Sequence, residues 1–371
     1  MLTRRGFAAR VGAALAASRM LPEMAYAQRA AIQGDLPKDM VWLNANENPL
    51  GPPKSSIDAM IEVLPSSGRY HYQEVHDFYA ALARSEDLDA ENILAGSGSS
   101  EMLHAAVDAF TAPDRPMVVM HPTYEGPPET ARAMGRQVIQ VPLLPDYAAD
   151  VHKLAEEAGK AHAGLIYMCN PNNPTASITP KTAVAWLVQN LPPDTVLLID
   201  EAYIHFGESP DLESALPYVR QGKNVVVART FSKIYGMAGL RAGFACARPD
   251  LIVRMRPFRI NVLSIVAMRA VLAALAESRT LVPERRATNT RIRRELCAWL
   301  GERHLPYIDS QANFMMIDVG RNAREFITKM PPLGVAVGRP FPPLDNMLRV
   351  TIGTDREMQK FREVFWRVYQ G

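Results

Sequence analysis

The chain has 371 residues, with 41 Lys+Arg against 39 Asp+Glu, 48% hydrophobic residues, 29 Pro, 22 Gly and 3 Cys. That length suits a two-lobed globular enzyme with a large buried core, and the composition excludes disordered and fibrous chains. A formal charge of +2 gives no electrostatic reason for a nucleic-acid partner, and three scattered cysteines (Cys169, Cys246, Cys297) without a CxxC pair indicate neither a disulfide framework nor a Cys-rich zinc site.

Residues 1–27 read as an export signal and are set aside from fold reasoning. Arg4-Arg5 precedes a small-apolar run, Val11–Ala17, and Ala25-Tyr26-Ala27 has the A-x-A form of a cleavage site. Paired arginines before a weakly apolar stretch resemble a twin-arginine signal, an address read by a receptor and no anchor. A periplasmic enzyme is expected, with a cytoplasmic one that keeps a basic N-terminal helix as the alternative. The run is too short to span a bilayer, and the chain after leader removal is expected to be soluble, with no membrane contact.

Beyond the leader, short apolar runs alternate with amphipathic ones. Strands are predicted at Met117–Met120, Gly164–Cys169, Val196–Ile199, Val225–Ala228, Ala242–Ala247, Phe314–Val319 and Leu348–Ile352. Near-continuous apolar runs of this length mark strands buried on both faces of a mostly parallel sheet. Helices are predicted at Gln73–Arg84, Ser100–Phe110, Thr179–Gln189, Asn261–Glu277, Pro283–Leu300 and Asp355–Tyr369. Strand–helix alternation gives an α/β fold. The helical stretch Asn261–Leu300 breaks it and reads as the crossing to a smaller C-terminal domain. Asn48–Lys54 reads as an extended arm and Gly334–Pro343 as a loop. The domain plan is then 1–27 leader, 28–60 N-terminal arm and part of the small domain, 61–262 large domain, and 263–371 C-terminal small domain.

Five segments carry chemistry. Lys233 follows a strand in the hydroxyl- and glycine-rich turn Arg229–Gly243; a lysine there can form a Schiff base if burial or a nearby cation lowers its pKa, although a surface lysine has the same local sequence. Thr230, Ser232 and Arg241 in that turn are donors suited to a phosphate monoester. Asp200 ends the apolar run Val196–Ile199, where α/β ligands bind, and could hold the proton of a pyridinium; an N-cap or a magnesium ligand are the alternatives. Tyr203 lies three residues on. Asn170-Pro171-Asn172-Asn173-Pro174 makes a rigid turn at the same sheet edge, and Asn173 could donate to a ring oxygen or lie on a plain surface turn. Gly96-Ser97-Gly98-Ser99-Ser100-Glu101 opens a helix and suits an anion, or a capping box with Glu101. Tyr124, in His121-Pro122-Thr123-Tyr124, could stack on a planar ring or pack in the core.

Taken in order, these segments, with Asn44-Ala45-Asn46-Glu47-Asn48-Pro49 ahead of them and Leu348-Arg349-Val350-Thr351-Ile352-Gly353-Thr354 behind, resemble the fold-type-I pyridoxal-phosphate aminotransferases, and within them the histidinol-phosphate aminotransferase-like group. The resemblance runs from about Leu43 to Thr354. It implies a mostly parallel seven-stranded-type sheet in a large domain that binds pyridoxal 5′-phosphate, a smaller α+β domain built from the N- and C-terminal segments, and a homodimer. It implies catalytic roles for Lys233 as the Schiff-base lysine and general base, Asp200 as the partner of the pyridine nitrogen, and Tyr203, with Asn173, as partner of the phenolic oxygen. Tyr124 would stack on the ring. Gly98, Ser99, Ser100, Thr230, Ser232 and Arg241 would take the phosphate, joined by Tyr70 from the partner subunit. Asn46, Arg349 and Arg339 would meet the substrate, Arg349 through a carboxylate. The implied reaction moves an amino group from an amino acid or amino-phosphate to a 2-oxo acid acceptor, with decarboxylation or elimination on the same fold as the alternative.

Three departures from the family pattern bear on substrate. Ala176 stands where the family usually has Gly, His71 replaces the proline usual after Arg-Tyr, and Gly338 is added before Arg339-Pro340. A nicotinamide dehydrogenase and a serine hydrolase are excluded by the absence of GxGxxG and GxSxG.

Overall fold

The computed structural model describes residues 37–260 and 262–371; the expected leader lies outside the described residues. The chain begins with β1 (Val41–Leu43), α1 (Lys54–Val63), α2 (Tyr72–Glu86), β2 (Ile93–Ser97), α3 (Ser99–Phe110) and β3 (Met117–His121). It continues through α4 (Gly126–Ala133), β4 (Val138–Pro142), α5 (Val151–Lys160), β5 (Leu165–Cys169), α6 (Lys181–Gln189) and β6 (Val196–Asp200). Then come α7 (Leu216–Arg220), β7 (Val225–Thr230), β8 (Ala242–Ala247), α8 (Pro249–Met255), α9 (Ile265–Ala276) and α10 (Ser278–Gly301). The last elements are β9 (Phe314–Asp318), α11 (Arg324–Lys329), β10 (Val335–Val337), β11 (Met347–Thr351) and α12 (Asp355–Gln370).

Seven strands form the main sheet in the order β2-β8-β7-β6-β5-β3-β4, with β8 alone antiparallel to its neighbours. Every residue of β5, β6, β7 and β8 is buried, as continuous apolar runs require when helices cover both faces. Successive residues of β5 alternate between two apolar clusters: Ile166 and Met168 face one, Leu165, Tyr167 and Cys169 the other. Cys169 pairs with Asp200 and Asp200 with Ala228, so β5 and β6 end level, β7 runs two residues further, and all three present their following turns at one edge.

A smaller unit draws on both ends of the chain. β1 pairs in parallel with β10, and β9 pairs antiparallel with β11. Leu43, Leu296, Phe326, Phe361 and Phe365 belong to its separate core. Two of the predicted strands, around Phe314 and Leu348, therefore lie here, while the main sheet is completed by β2 and β4, which periodicity did not reveal. The predicted helix Asn261–Glu277 starts at Ile265, capped by Ser264, whose hydroxyl accepts the Ala267 N–H at 3.2 Å. Its Ala267, Met268, Val271 and Ala274 join the large-sheet cluster. The crossing is made by α10 alone: Val282 packs with the large sheet, and Ile292, Leu296 and Leu300 pack with the smaller core. Among the described residues no helix is long and apolar enough to cross a membrane.

Candidate active site

A cavity of about 980 Å³ opens where the ends of β5, β6 and β7 face β1, β10 and β11, and the chemistry-bearing side chains converge on it. Asp200 is 4% exposed at the end of β6. Its Oδ1 accepts the Ala202 N–H at 3.0 Å and its Oδ2 accepts the Tyr167 hydroxyl at 3.3 Å. Burial pushes its carboxyl up to about 6. Lys233 lines the same cavity and its Nζ donates to the Asn46 carbonyl at 3.0 Å. Burial, with Arg349 and Arg241 nearby, lowers the Lys233 amine to about 8. Near neutral pH an appreciable fraction of it is therefore an unprotonated nucleophile, which a surface lysine is not. Tyr203 is buried, its hydroxyl accepts the Asn46 Nδ2 at 3.2 Å, and burial raises its phenol.

One end of the cavity is built for an anion. Ser99 and Ser100 open α3, whose first N–H groups have no partners within the helix. Gly98 precedes them at φ +83°, and a Cβ there would lie 2.5 Å from the Arg241 Nη2. A Cβ on Gly243 would lie 2.2 Å from the Ser99 nitrogen, so these two glycines let the helix start, β8 and the Arg241 guanidinium come together. Thr230 accepts the Ser232 N–H at 3.1 Å, and both line this end. Glu101 accepts the Ser97 N–H at 2.6 Å and the Ile260 N–H at 2.8 Å; the N-cap of α3 is Gly98, so no capping box forms.

The opposite side belongs to the smaller unit. Arg349, on β11, donates from Nη1 to the Asn173 Oδ1 and from Nη2 to the Asn44 carbonyl, both at 2.8 Å. That leaves the Asn173 amide nitrogen as the donor available to a ring oxygen. Arg339 lines the cavity and is ion-paired with Glu125. Tyr124 also lines it and fits against Gly126, where a Cβ would come within 2.7 Å of its ring. Asn46 is 1% exposed at φ 54°; its N–H donates to the Thr351 Oγ1 at 2.9 Å, and its carbonyl accepts both Lys233 and the Asn313 Nδ2. Tyr70 is 79% exposed, stacked on Tyr72 at 5.3 Å, and does not line this chain's cavity.

The family profile for "Aminotransferase class I and II" matches residues 38–365. The chain belongs to this family. Among curated relatives it is 35% identical over 337 residues to a histidinol-phosphate aminotransferase of Moorella thermoacetica, covering 87% of this chain and 84% of that one. It is 34% identical over 331 residues to one of Symbiobacterium thermophilum, covering 88% and 89%. The solved structure of the histidinol-phosphate aminotransferase of Sinorhizobium meliloti in complex with pyridoxal-5′-phosphate superposes with a TM-score of 0.84 at 26% identity, covering 95% of this chain and 98% of that one.

Sequence reasoning missed several residues of this class I/II aminotransferase site. Tyr167 is a lone hydroxyl in an apolar strand, and its place beside the strand that ends in Asp200 was the available signal. Asn313 carried no signal, and Asn44 and Thr351, although they fall within motifs of the resemblance, gave no sign that they hold Arg349 and Asn46, because their partners lie far away in the chain. Ala176, where the family usually has glycine, keeps a glycine-like φ of 60° and packs with Ala202, Tyr203 and Phe314. The added Gly338 pairs with β11: its N–H donates to the Arg349 carbonyl at 2.8 Å, and a Cβ there would lie 2.9 Å from the Arg349 Cβ.

Proposed function

We propose that this chain moves the amino group of a donor with an anionic group near its amino-bearing carbon, an α-amino acid or a histidinol-phosphate-like amino-phosphate, onto a 2-oxo acid. The class of activity is that of its family: it is a pyridoxal-phosphate-dependent aminotransferase. The observation that carries the reading is that one cavity holds the lowered Lys233 amine, the buried Asp200 carboxyl and an anion cradle at the start of α3. Those residues fit the cofactor: a carboxyl at about 6 suits a protonated heterocyclic nitrogen, an amine at about 8 suits an aldehyde, and the cradle suits a phosphate.

Ser99, Ser100, Thr230, Ser232 and Arg241 would hold the phosphate, Asp200 the pyridine nitrogen, Asn173 and Tyr203 the phenolic oxygen, and Tyr124 would flank the ring. When bound, the cofactor supplies a carbonyl carbon for Schiff-base exchange and a ring that delocalises negative charge from the donor's amino-bearing carbon. Lys233 Nζ would then be the base that takes the proton from that carbon and delivers it to the cofactor's former carbonyl carbon. The second half-reaction would run the same transfer in reverse, onto the oxo carbon of the acceptor. Asp200 keeps the ring nitrogen protonated. Arg349, oriented by Asn173 and Asn44, fixes the donor's carboxylate or phosphate as a two-pronged pair.

The test is incubation of the holoenzyme with a panel of amino donors and a panel of 2-oxo acids, monocarboxylic and dicarboxylic. Stoichiometric formation of the acceptor's amino acid and the donor's oxo product, lost in Lys233→Ala, is the expected result. Release of carbon dioxide or an elimination product in place of the oxo product overturns it.

Two further parts of the reading rest on the sequence. A homodimer is supported by exposed Ile61, Leu64, Tyr70 and Tyr72, which lie close together in the chain, and by Tyr70 lying off its own cavity; an active monomer in light scattering overturns it. Twin-arginine export is supported by Arg4-Arg5, Val11–Ala17 and Ala25-Tyr26-Ala27. Arg4→Lys with Arg5→Lys is expected to leave the enzyme uncleaved in the cytoplasm, because an ammonium does not imitate a guanidinium. A periplasmic, cleaved double variant overturns that route.

A further inference from the structure

Two arginines that line the cavity share one buried aromatic ring. The Arg349 guanidinium carbon lies 4.5 Å from the centre of the Phe341 ring and that of Arg339 lies 4.2 Å from it. The two cations are anchored differently. Arg349 donates to neutral oxygens, the Asn173 amide and the Asn44 carbonyl. Such bonds orient a guanidinium without cancelling its charge. Arg339 donates from Nη1 to the Pro340 carbonyl at 3.0 Å and from Nη2 to the carboxylate of Glu125. Both members of that ion pair are mostly shielded, with side-chain exposures of 18% for Arg339 and 29% for Glu125. Screening by water is correspondingly weaker than at an open surface.

Glu125 follows Tyr124 directly and is the N-cap residue of α4, yet its side chain makes no capping bond there. It reaches instead to Arg339, in the connection from β10 to β11 that contains the added Gly338. The pair therefore joins the turn that carries Tyr124, on the main sheet, to the smaller unit.

We propose that Glu125 is a specificity-determining residue of this aminotransferase: by holding Arg339 in an ion pair, it discriminates against substrates that carry a second anionic group at their distal end. This rests on the reading of Arg349 as the site of the first anion. A distal carboxylate entering beside Arg339 must either displace Glu125 or lie next to it. The first loses an ion pair and the second sets two like charges together. A donor with one anionic group and an uncharged side chain meets neither cost.

The experiment compares glutamate with leucine as donors to the holoenzyme, wild type against Glu125→Gln. Glutamine keeps the size of the side chain and removes its charge. The expected result is a KM for glutamate lowered about fivefold relative to that for leucine, the order of a partly shielded ion pair. The gain is expected to vanish in Glu125→Gln with Arg339→Gln, because it acts through the freed guanidinium. Calorimetric titration with glutarate and pentanoate reads the same discrimination without turnover, so the role of Glu125 is tested even if neither donor reacts. Absence of transamination with any donor would then count against the function of the site and leave the binding result standing. A glutarate-to-pentanoate affinity ratio unchanged within twofold in Glu125→Gln, or a gain that persists without Arg339, overturns the proposal.

Discussion

The Arg229 guanidinium donates twice to the Glu201 carboxylate, from Nε at 3.1 Å and from Nη2 at 2.9 Å. Arg229 precedes Thr230 on β7 and Glu201 follows Asp200 on β6, so this pair locks together the chain segments that carry the phosphate cradle and the buried carboxyl. Glu86, from α2, pairs with the same guanidinium through Nη1 at 2.5 Å, and the Ser214 hydroxyl and Ala215 N–H also donate to Glu201. The side chains of Arg229, Glu86 and Glu201 are 9%, 10% and 1% exposed. Arg229→Met would leave two carboxylates buried without their cation. A loss of about 3–5 kcal/mol is expected, the cost of breaking a buried pair from one side. Urea denaturation of the holoenzyme measures it, and a loss below about 1 kcal/mol would show that water reaches the carboxylates.

Gly98 separates steric from conformational effects at the phosphate cradle. Alanine there would place its Cβ 2.5 Å from the Arg241 Nη2 as well as straining a φ of +83°. Gly135 has a similar φ of +70° but open space around it. Gly135→Ala is expected to cost about 1 kcal/mol of stability and nothing in cofactor affinity. Gly98→Ala is expected to cost as much or more, and to weaken pyridoxal phosphate about tenfold as Arg241 is pushed aside. Equilibrium dialysis of the two variants checks this; equal cofactor affinity in both would remove Arg241 from the phosphate site.

The Lys233 amine should reveal its setting through pH. Its value is lowered to about 8, with burial the largest cause and Arg349 next. The reactive neutral form therefore increases as pH rises through about 8 and levels off above it, whereas an ordinary lysine would still be gaining at 10. Borohydride trapping of pyridoxal phosphate by the apoprotein, followed across pH 6–10, is expected to show that early plateau. Arg349→Gln removes one nearby cation and should move the midpoint upward. An unmoved midpoint in that variant would remove Arg349 from the causes and leave burial and Arg241.

The site was more legible than the fold around it, for a physical reason. Lys233, Asn173 and Arg241 sit in turns, and Asp200 at the end of β6, where the short-range chemistry is written locally beside apolar runs of strand length. The strands that completed the sheet were hidden differently. β2 runs directly into the glycine–serine turn before α3, and β4 is an edge strand whose five residues include one buried side chain. The crossing helix was also hidden. Pro283 suggested a start, yet it lies inside α10, which begins at Ser278. What no local pattern held was the pairing of distant segments: Asn46 with Thr351, Arg349 with Asn44, and Glu125 with Arg339.

His71, where the family usually has proline, adopts φ 54°, a conformation closed to a proline ring. Its Nδ1 lies 2.8 Å from the Glu74 Oε1 and its Nε2 lies 2.9 Å from the Ser66 carbonyl. Both neighbours are acceptors, so the imidazole satisfies both only when protonated on both nitrogens. Glu74 also pairs with Arg269 from α9, at 2.8 Å, which opposes the imidazolium. The net effect raises His71 above the ordinary histidine value, chiefly through the Ser66 carbonyl and then through Glu74. A folded-state pKa above the unfolded one means that the native chain binds the extra proton more tightly. The stabilisation is therefore fully present below about 6.5 and is lost as pH rises through the raised value. His71→Asn tolerates the positive φ and keeps no charge. Below the ordinary histidine value it should melt at a lower temperature than the wild type, and the two curves should converge once pH exceeds the raised value. Melting temperatures followed from pH 5 to 9 test this, with the imidazole's own midpoint read by NMR. A constant gap between the curves across that range would mean that the ring acts by packing and that its proton plays no part in holding the loop before Tyr70.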